Sequence, residues 1–431
     1  MQQRDTGLVD DLTALTAQDY EFMRYSNDRS VKDAFIAGEV EEPNLRYGDI
    51  EPEWVEERLA HVAAFEEVVT AHSDELVRRA YLPKLREFRE RFELLGCAQR
   101  GEDAGVLDAS TRLYGAPQTQ YFTYALRGLK ERLERVSEAL GGNERVREAL
   151  SALTPLVGGE PQVYPWDAIE LPTPRVYADA PPLSAGEIKS AFEEAFARYD
   201  VPGWRAVVDA PGERMTFNTN HNLHTVFIPS DDDLASRKYP LTRERVEALI
   251  AHEVGTHVVR RVRGEASPLA LLGVGLAGYL RGEEGIATYS EQVLDGTRHF
   301  AGGFGYLAVG WAFGLDGTKR TFRQLYEVLR PYMLVSSIEH ALSYDEPVDI
   351  ERFAHASERR AWARCVRIFR GTSGTTPGAC FTKDVVYLEG NIAIWQLVSA
   401  DPSWPERFRL GKYDPANAEH VALLRDLDML P

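Results

Sequence analysis

The chain has 431 residues, 44% of them apolar and 27% charged, with a formal net charge of −18, proportions of a globular protein long enough for more than one core. So acidic a surface opposes phosphate backbones and anionic bilayers, which excludes nucleic acid and membrane as expected partners. Three widely spaced cysteines, Cys97, Cys365 and Cys380, fit a reducing compartment better than a disulfide framework.

The opening stretch MQQRDTGLVDDL has neither the basic region nor the apolar run of a secretion signal, and the expected location is the cytoplasm. From residue 53 to residue 150 charged and apolar residues recur with helical period, as in EWVEERLAHVAAFEEVV, which predicts a helical N-terminal region over residues 1–154. Seven prolines between Pro155 and Pro182 break regular structure and mark the boundary with a second region, 155–431. There a helix is predicted over SAGEIKSAFEEAFARY, followed by two β-like runs, WRAVVDA and RMTFNTNHNLHTVFIPS, separated by Pro211 and Gly212. The end of the second run, HTVFIPS, reads equally as an edge strand that could pair with a substrate backbone or as an internal strand. His221 and His224 lie three apart on it, which puts strand side chains on opposite faces and argues against a second metal site. Two glycine-rich runs, ASPLALLGVGLAGYL and AGGFGYLAVGWAFGL, are too short to span a bilayer comfortably and are expected as buried helices or loops. From residue 318 helical patterns return, as in TFRQLYEVLRPYML and DIERFAHASERRAWARCVRIF.

Between the β-like runs and the glycine-rich ones lies LIAHEVGTHVVRR, residues 249–261. Pro240, Thr242 and Glu244 form a helix start signal, and Arg260, Arg261 and Arg263 before Gly264 suit a helix end. Val246, Ile250, Val254, Val258 and Val262 make an apolar stripe, beside which His252 and His257 emerge. On a regular α-helix a step of five residues turns a side chain by roughly 140°. The two imidazoles therefore reach one ion only if the helix is locally widened. A π-type turn permitted by Gly255 would do this, and such turns are frequent at functional sites. The alternative is a pair of hydrogen-bonded core histidines. A catalytic zinc needs a third protein ligand, and RGEEGIATYSEQVLDG downstream offers Glu283, Glu284, Glu291 and Asp295, a run that by itself reads as a solvated acidic face.

HEVGTH followed by EEGIA resembles the flavohemoglobin expression-modulating QEGLA motif proteins, a family that shares its peptidase core with the microtubule-associated tyrosine carboxypeptidases. The N-terminal PNLRY and the C-terminal FRGTSGTTPGACFTKDVVYLEGN extend the resemblance over most of the chain. It implies an α+β, mostly helical fold: a zincin-like core of small sheet plus HExxxH helix, flanked by helical N- and C-terminal regions. It further implies that residues 155–431 form a zinc metallopeptidase domain, that His252, His257 and Glu284 bind Zn2+, and that Glu253 is the catalytic base. The chain departs from the motif with Glu283 for Gln and Ile286 for Leu, and Glu283 adds a competing carboxylate.

Zinc chemistry then assigns Glu253, near the ion but not bound to it, to take a proton from water and pass it to the leaving amine. Tyr387 and Lys383, four apart on a predicted helix, share a face and are candidates to stabilise the oxyanion, against a core tyrosine and a solvated lysine. A carboxypeptidase must also hold the terminal carboxylate, for which Arg370, Lys383 and Arg281 are the candidates in that order. The expected activity is removal of the last residue of a peptide or protein, and the resemblance implies a C-terminal tyrosine or other aromatic residue as the preference. The net charge of −18 counts against acidic tubulin as the partner. Two alternatives stay open: another zinc exopeptidase, of the aminopeptidase or dipeptidyl peptidase type, and a non-catalytic zinc-containing regulatory protein. The oligomeric state is not legible.

Overall fold

The computed structural model describes residues 3–16, 29–47, 50–158, 162–175, 181–214, 216–235, 241–343 and 347–431. Helices dominate, and a three-stranded sheet stands beside the motif helix, which makes the fold α+β and mostly helical. The N-terminal helical pattern resolves into Pro52–Thr70, Glu75–Arg100, Asp103–Tyr114, Thr119–Leu140 and Glu144–Leu153. Local chemistry sets their ends. Asp74 caps the second of them by accepting from the Leu76 N–H at 2.9 Å, and Gly101 closes it with a φ of 71°.

Two cores take up these helices. Pro52–Thr70 and Glu75–Arg100 pack on Leu269, Leu271 and Leu272 and on the terminal helix Ala418–Asp426. Thr119–Leu140 and Glu144–Leu153 join Gly303–Phe313, Phe322–Ser343, Ile350–Ile368 and Val385–Ala400 around Phe122, Tyr306 and Trp311, all buried. Of the described parts of the proline-rich segment, 155–158 completes a short 3-10 helix, Thr154–Val157, while 162–175 and 181–184 contain turns but no helix or strand. Arg175 N–H donates to Asp295 O at 2.9 Å and Thr297 N–H to Pro172 O at 2.8 Å, which straps the segment onto the end of the Leu280–Asp295 helix.

The helix predicted at residues 184–199 is Ala185–Arg198, opened by a capping box in which Glu187 N–H donates to Ser184 Oγ at 3.3 Å and Ser184 N–H to Glu187 Oε2 at 2.8 Å. The β-like runs form three strands rather than two. β1 (Arg205–Val208) runs parallel to β3 (Thr225–Ile228), and β2 (Asn218–Asn220) runs antiparallel to it with Thr219 opposite Val226. The long second run is thus a hairpin: Asn220 Oδ1 accepts from the N–H groups of Asn222 and Leu223, both at 3.0 Å, and His224 adopts a φ of 47°. His221 and His224 therefore sit in a turn, not on opposite faces of a strand, with their rings 5.7 and 5.3 Å from that of Trp204. Because β3 is the central strand, HTVFIPS is internal, and one of the two edges falls to β2.

The sheet, Ala185–Arg198 and the motif helix close a third core around Phe192, Val226, Ile228, Val246, Ile250, Val254 and Val258. This is the predicted apolar stripe, with Val262 half-buried at its end. Both glycine-rich runs are largely buried, and no helix among the described residues is long and apolar enough to cross a membrane.

Candidate active site

The motif helix starts at Arg243 with Thr242 as N-cap and Glu244 in its first turn; Pro240 lies outside the described residues. It is α-helical to His252, widens into a π-turn over Glu253–Val258 and resumes as α-helix over Val259–Glu265. The extra residue is absorbed between the histidines, since i→i+5 bonding brings residues five apart to one side. A Cβ on Gly255 would lie 3.0 Å from the Tyr199 hydroxyl, a tight approach that the glycine avoids. The helix ends at Glu265, one residue past Gly264, and Arg260 is not a partner of the helix end but wholly buried beneath the site.

The His252 and His257 rings are 5.2 Å apart, and one donor atom from each, together with a carboxylate oxygen of Glu284, lie within 4.8 Å of one another. With zinc–ligand bonds of about 2 Å, atoms so placed need only small rotations to meet one ion. No second group of three such ligands occurs among the described residues. Each imidazole is oriented by a further carboxylate: His252 Nδ1 is 3.1 Å from Glu291 Oε2, and His257 Nδ1 is 2.9 Å from Glu283 Oε1. Nε2 is then the nitrogen that each ring can offer. Burial alone pulls the His252 pKa down, but the bond to Glu291 and the charges of Glu253, Glu291 and Glu284 push it up to about 9. Glu253, Glu284 and Glu291 thus all bear on this imidazole, and acidic groups gathered so favour a cation among them.

Glu283 is not a competing ligand, because other groups claim it. It is 2% exposed, bonded to Arg260 and 3.4 Å from Lys412 Nζ, while Arg260 Nε donates to Gly411 O at 2.8 Å. Burial opposes its ionisation, yet Lys412 and Arg260 hold its carboxyl well below the usual carboxylate range. Lys412 Nζ also lies 3.0 Å from His221 Nε2, and burial with the Lys412 charge beside it keeps His221 far below its ordinary pKa, so the neutral ring accepts from the ammonium. A chain of contacts from His221 through Lys412 and Glu283 to His257 links the hairpin turn to the motif helix. Sequence reasoning missed Arg260 and Lys412 as members of this site: one was assigned to a helix end, and the other stands in no local pattern.

Glu253 accepts from Thr219 Oγ1 of β2 at 2.5 Å, which places that edge strand at the border of the site. On the opposite side, the Leu280–Asp295 and Val385–Ala400 helices touch backbone to backbone. A Cβ on Gly285 would stand 2.5 Å from Gly390 O, and one on Gly390 2.1 Å from Arg281 O. This approach puts Lys383 and Tyr387 within the field of Glu284. Burial draws the Lys383 pKa down to about 8 against the pull of Glu284, and Lys383 has no ion-pair or hydrogen-bond partner among the described residues. Burial and Glu284 raise the pKa of Tyr387, whose hydroxyl accepts from Arg367 Nη2 at 3.3 Å. Arg370, its pKa lowered by burial and by Arg367, lies near Tyr47 and Tyr114. Arg281 is ion-paired with Asp414 at 3.0 Å.

A family model described as microtubule-associated tyrosine carboxypeptidase matches residues 171–299 and 350–430, which hold all of these candidate residues. Human microtubule-associated tyrosine carboxypeptidase 1 is 29% identical over 186 residues, covering 41% of this chain and 32% of that protein. Its mouse counterpart is 30% identical over 159 residues, covering 35% and 27%. The matched part of the chain thus spans about a third of the length of these relatives. No solved structure matches.

Proposed function

The chain is related to the family of microtubule-associated tyrosine carboxypeptidases, and from that premise we propose that it is a zinc-dependent carboxypeptidase acting on peptide or protein C-termini. One observation carries the reading: a π-turn gathers His252 and His257 onto Glu284. These three would hold the ion, in a zincin-like core of small sheet and widened helix. When bound, zinc supplies Lewis acidity that polarises a scissile carbonyl and acidifies water.

The remaining work falls to the chain itself. Glu253, steadied by Thr219, takes the proton of the attacking water and passes it to the leaving amine. Glu291 and Glu283 hold the two imidazoles in one tautomer and orientation. Tyr387, positioned by Arg367, keeps its proton at neutral pH and donates to the developing oxyanion. Lys383, without a partner among the described residues and charged below about pH 8, receives the terminal carboxylate. Arg370 ranks next, and Arg281 last because Asp414 occupies it. A C-terminal tyrosine or other aromatic residue is the proposed preference, and three free cysteines fit a cytoplasmic location.

The test is digestion of matched peptides with free and amidated C-termini, read by mass spectrometry. Release of the last residue from the free peptide alone, lost on chelation and restored by zinc, is the expected result. Equal cleavage of both sinks the carboxypeptidase reading. Trimming from the other end selects the aminopeptidase or dipeptidyl peptidase alternative, and zinc binding without any cleavage selects the regulatory one.

A further inference from the structure

Away from the ligand cluster, a cavity of about 490 Å³ opens between the Thr119–Leu140, Phe322–Ser343 and Ile350–Ile368 helices. Arg132, Arg360, Arg364 and Arg367 line it with Phe304 and Tyr332, and no carboxylate is among the described residues of its lining. In a chain of net charge −18 this is a local reversal of sign. We propose that this cavity binds a compact, multiply charged oxyanion of the phosphate or pyrophosphate class.

Three of the arginines stand at i, i+4 and i+7 on one face of one helix, a spacing at which like charges destabilise a helix unless something answers them. The carboxylates that answer them in part, Asp384 and Glu339, are not among the lining residues. Asp384 takes both Arg364 Nη1 and Arg367 Nε at 2.8 Å. Glu339 lies 3.6 Å from Arg132 Nε and is shared with Arg135 at 2.8 Å. Arg360 donates to Ser337 Oγ at 2.8 Å and forms no ion pair among the described residues. Three of the four lining cations therefore share two carboxylates, and Arg132 Nε is a buried donor with no hydrogen bond.

The walls are also pre-arranged. Phe304 and Tyr332 stack at 4.5 Å, with Arg364 lying 4.6 Å over one ring and Arg132 5.6 Å over the other. Guanidiniums held against rings in this way lose little freedom when they fork onto oxyanion oxygens. Burial lowers the Arg364 pKa against the pull of Asp384, with Arg367 adding to the lowering. Arg360, Arg364 and Arg367 come from one helix and Arg132 from another, and all four line one volume, which suits a compact anion that bridges the two helices. Arg367 also reaches Tyr387, so the cavity adjoins the candidate active site without including its ligand cluster.

Isothermal titration of the full chain with inorganic pyrophosphate, at fixed ionic strength, tests the assignment. Saturable binding of one pyrophosphate per chain is expected, weakened at least tenfold by Arg360→Gln and by Arg132→Gln and unchanged by His257→Ala. Arg360 is exposed, so its variant should fold as the parent does even if the Arg132 variant does not. Absence of saturable binding, or binding that survives Arg360→Gln, overturns the proposal. Loss of binding in His257→Ala would move the anion to the metal site and overturn it as well. A glutamate-rich peptide that binds in an Arg360-dependent way while pyrophosphate does not would make the cavity a peptide surface, with the same consequence.

Discussion

Glu253→Gln keeps the size of the side chain beside Thr219 but removes the proposed base. Peptidase activity should fall by about 10²- to 10⁴-fold, with zinc content by plasma mass spectrometry unchanged; zinc lost along with activity would make Glu253 a ligand. Glu283→Gln restores the motif residue, yet here it leaves Arg260 and Lys412 buried opposite a neutral amide. Stability to urea should drop by about 3 kcal/mol, and zinc affinity in a chelator competition should weaken by about 10- to 100-fold. Adding Lys412→Met should return part of that stability by removing one uncompensated charge. Strict additivity of the two changes would show that the residues do not interact. That His252 and His257 meet was legible because a short string of fixed spacing carries them, and that Glu284 joins them was legible through the motif it resembles. Lys412 was not legible, because nothing near it in the chain announces that it will meet Glu283.

Among the elements, the widened turn is the one whose geometry can be edited. Deleting Gly255 turns HEVGTH into a string with the histidines four apart, the spacing a plain α-helix would suit. Because the π-turn absorbs that residue, its loss lets the helix close as plain α-helix with the segments on either side still in register. Arg260 then stays on Glu283 and Val258 in the apolar stripe. The deletion variant should therefore keep its zinc and most of its thermal stability. Zinc lost at full stability would mean that the widened turn itself sets the ligand geometry. The hairpin shows the opposite case, where an element was misjudged: a run that read as one strand is two, because Asn220 and the left-handed His224 reverse the chain inside it. β-propensity persists through such a reversal, so the pattern alone did not reveal it.

Across the whole molecule, the helices before residue 155 are tied to the later part by polar contacts as well as by shared cores. Glu87 is one: it pairs with Lys84 at 2.9 Å and accepts from the Gly278 N–H at 2.7 Å. Burial works to raise its pKa, but Lys84 and Arg91 lower it below the ordinary value. A carboxyl so depressed contributes stability above its unfolded pKa of about 4.3, and that contribution is lost as pH falls through the lower, folded value. Glu87→Gln should therefore destabilise the protein near pH 7 and much less near pH 3, read as urea midpoints across that range. A pH-independent difference would mean that the pair contributes through packing alone. What the sequence determined by itself was local: helices with an apolar face, and a histidine spacing that angular arithmetic resolves only with a π-turn. What only the tertiary structure decided was every partnership between distant segments. The strand order, the Gly285–Gly390 crossing, the Lys412–Glu283 contact and the arginine cavity all depend on which surfaces meet, and such meetings leave no periodic mark in a single chain.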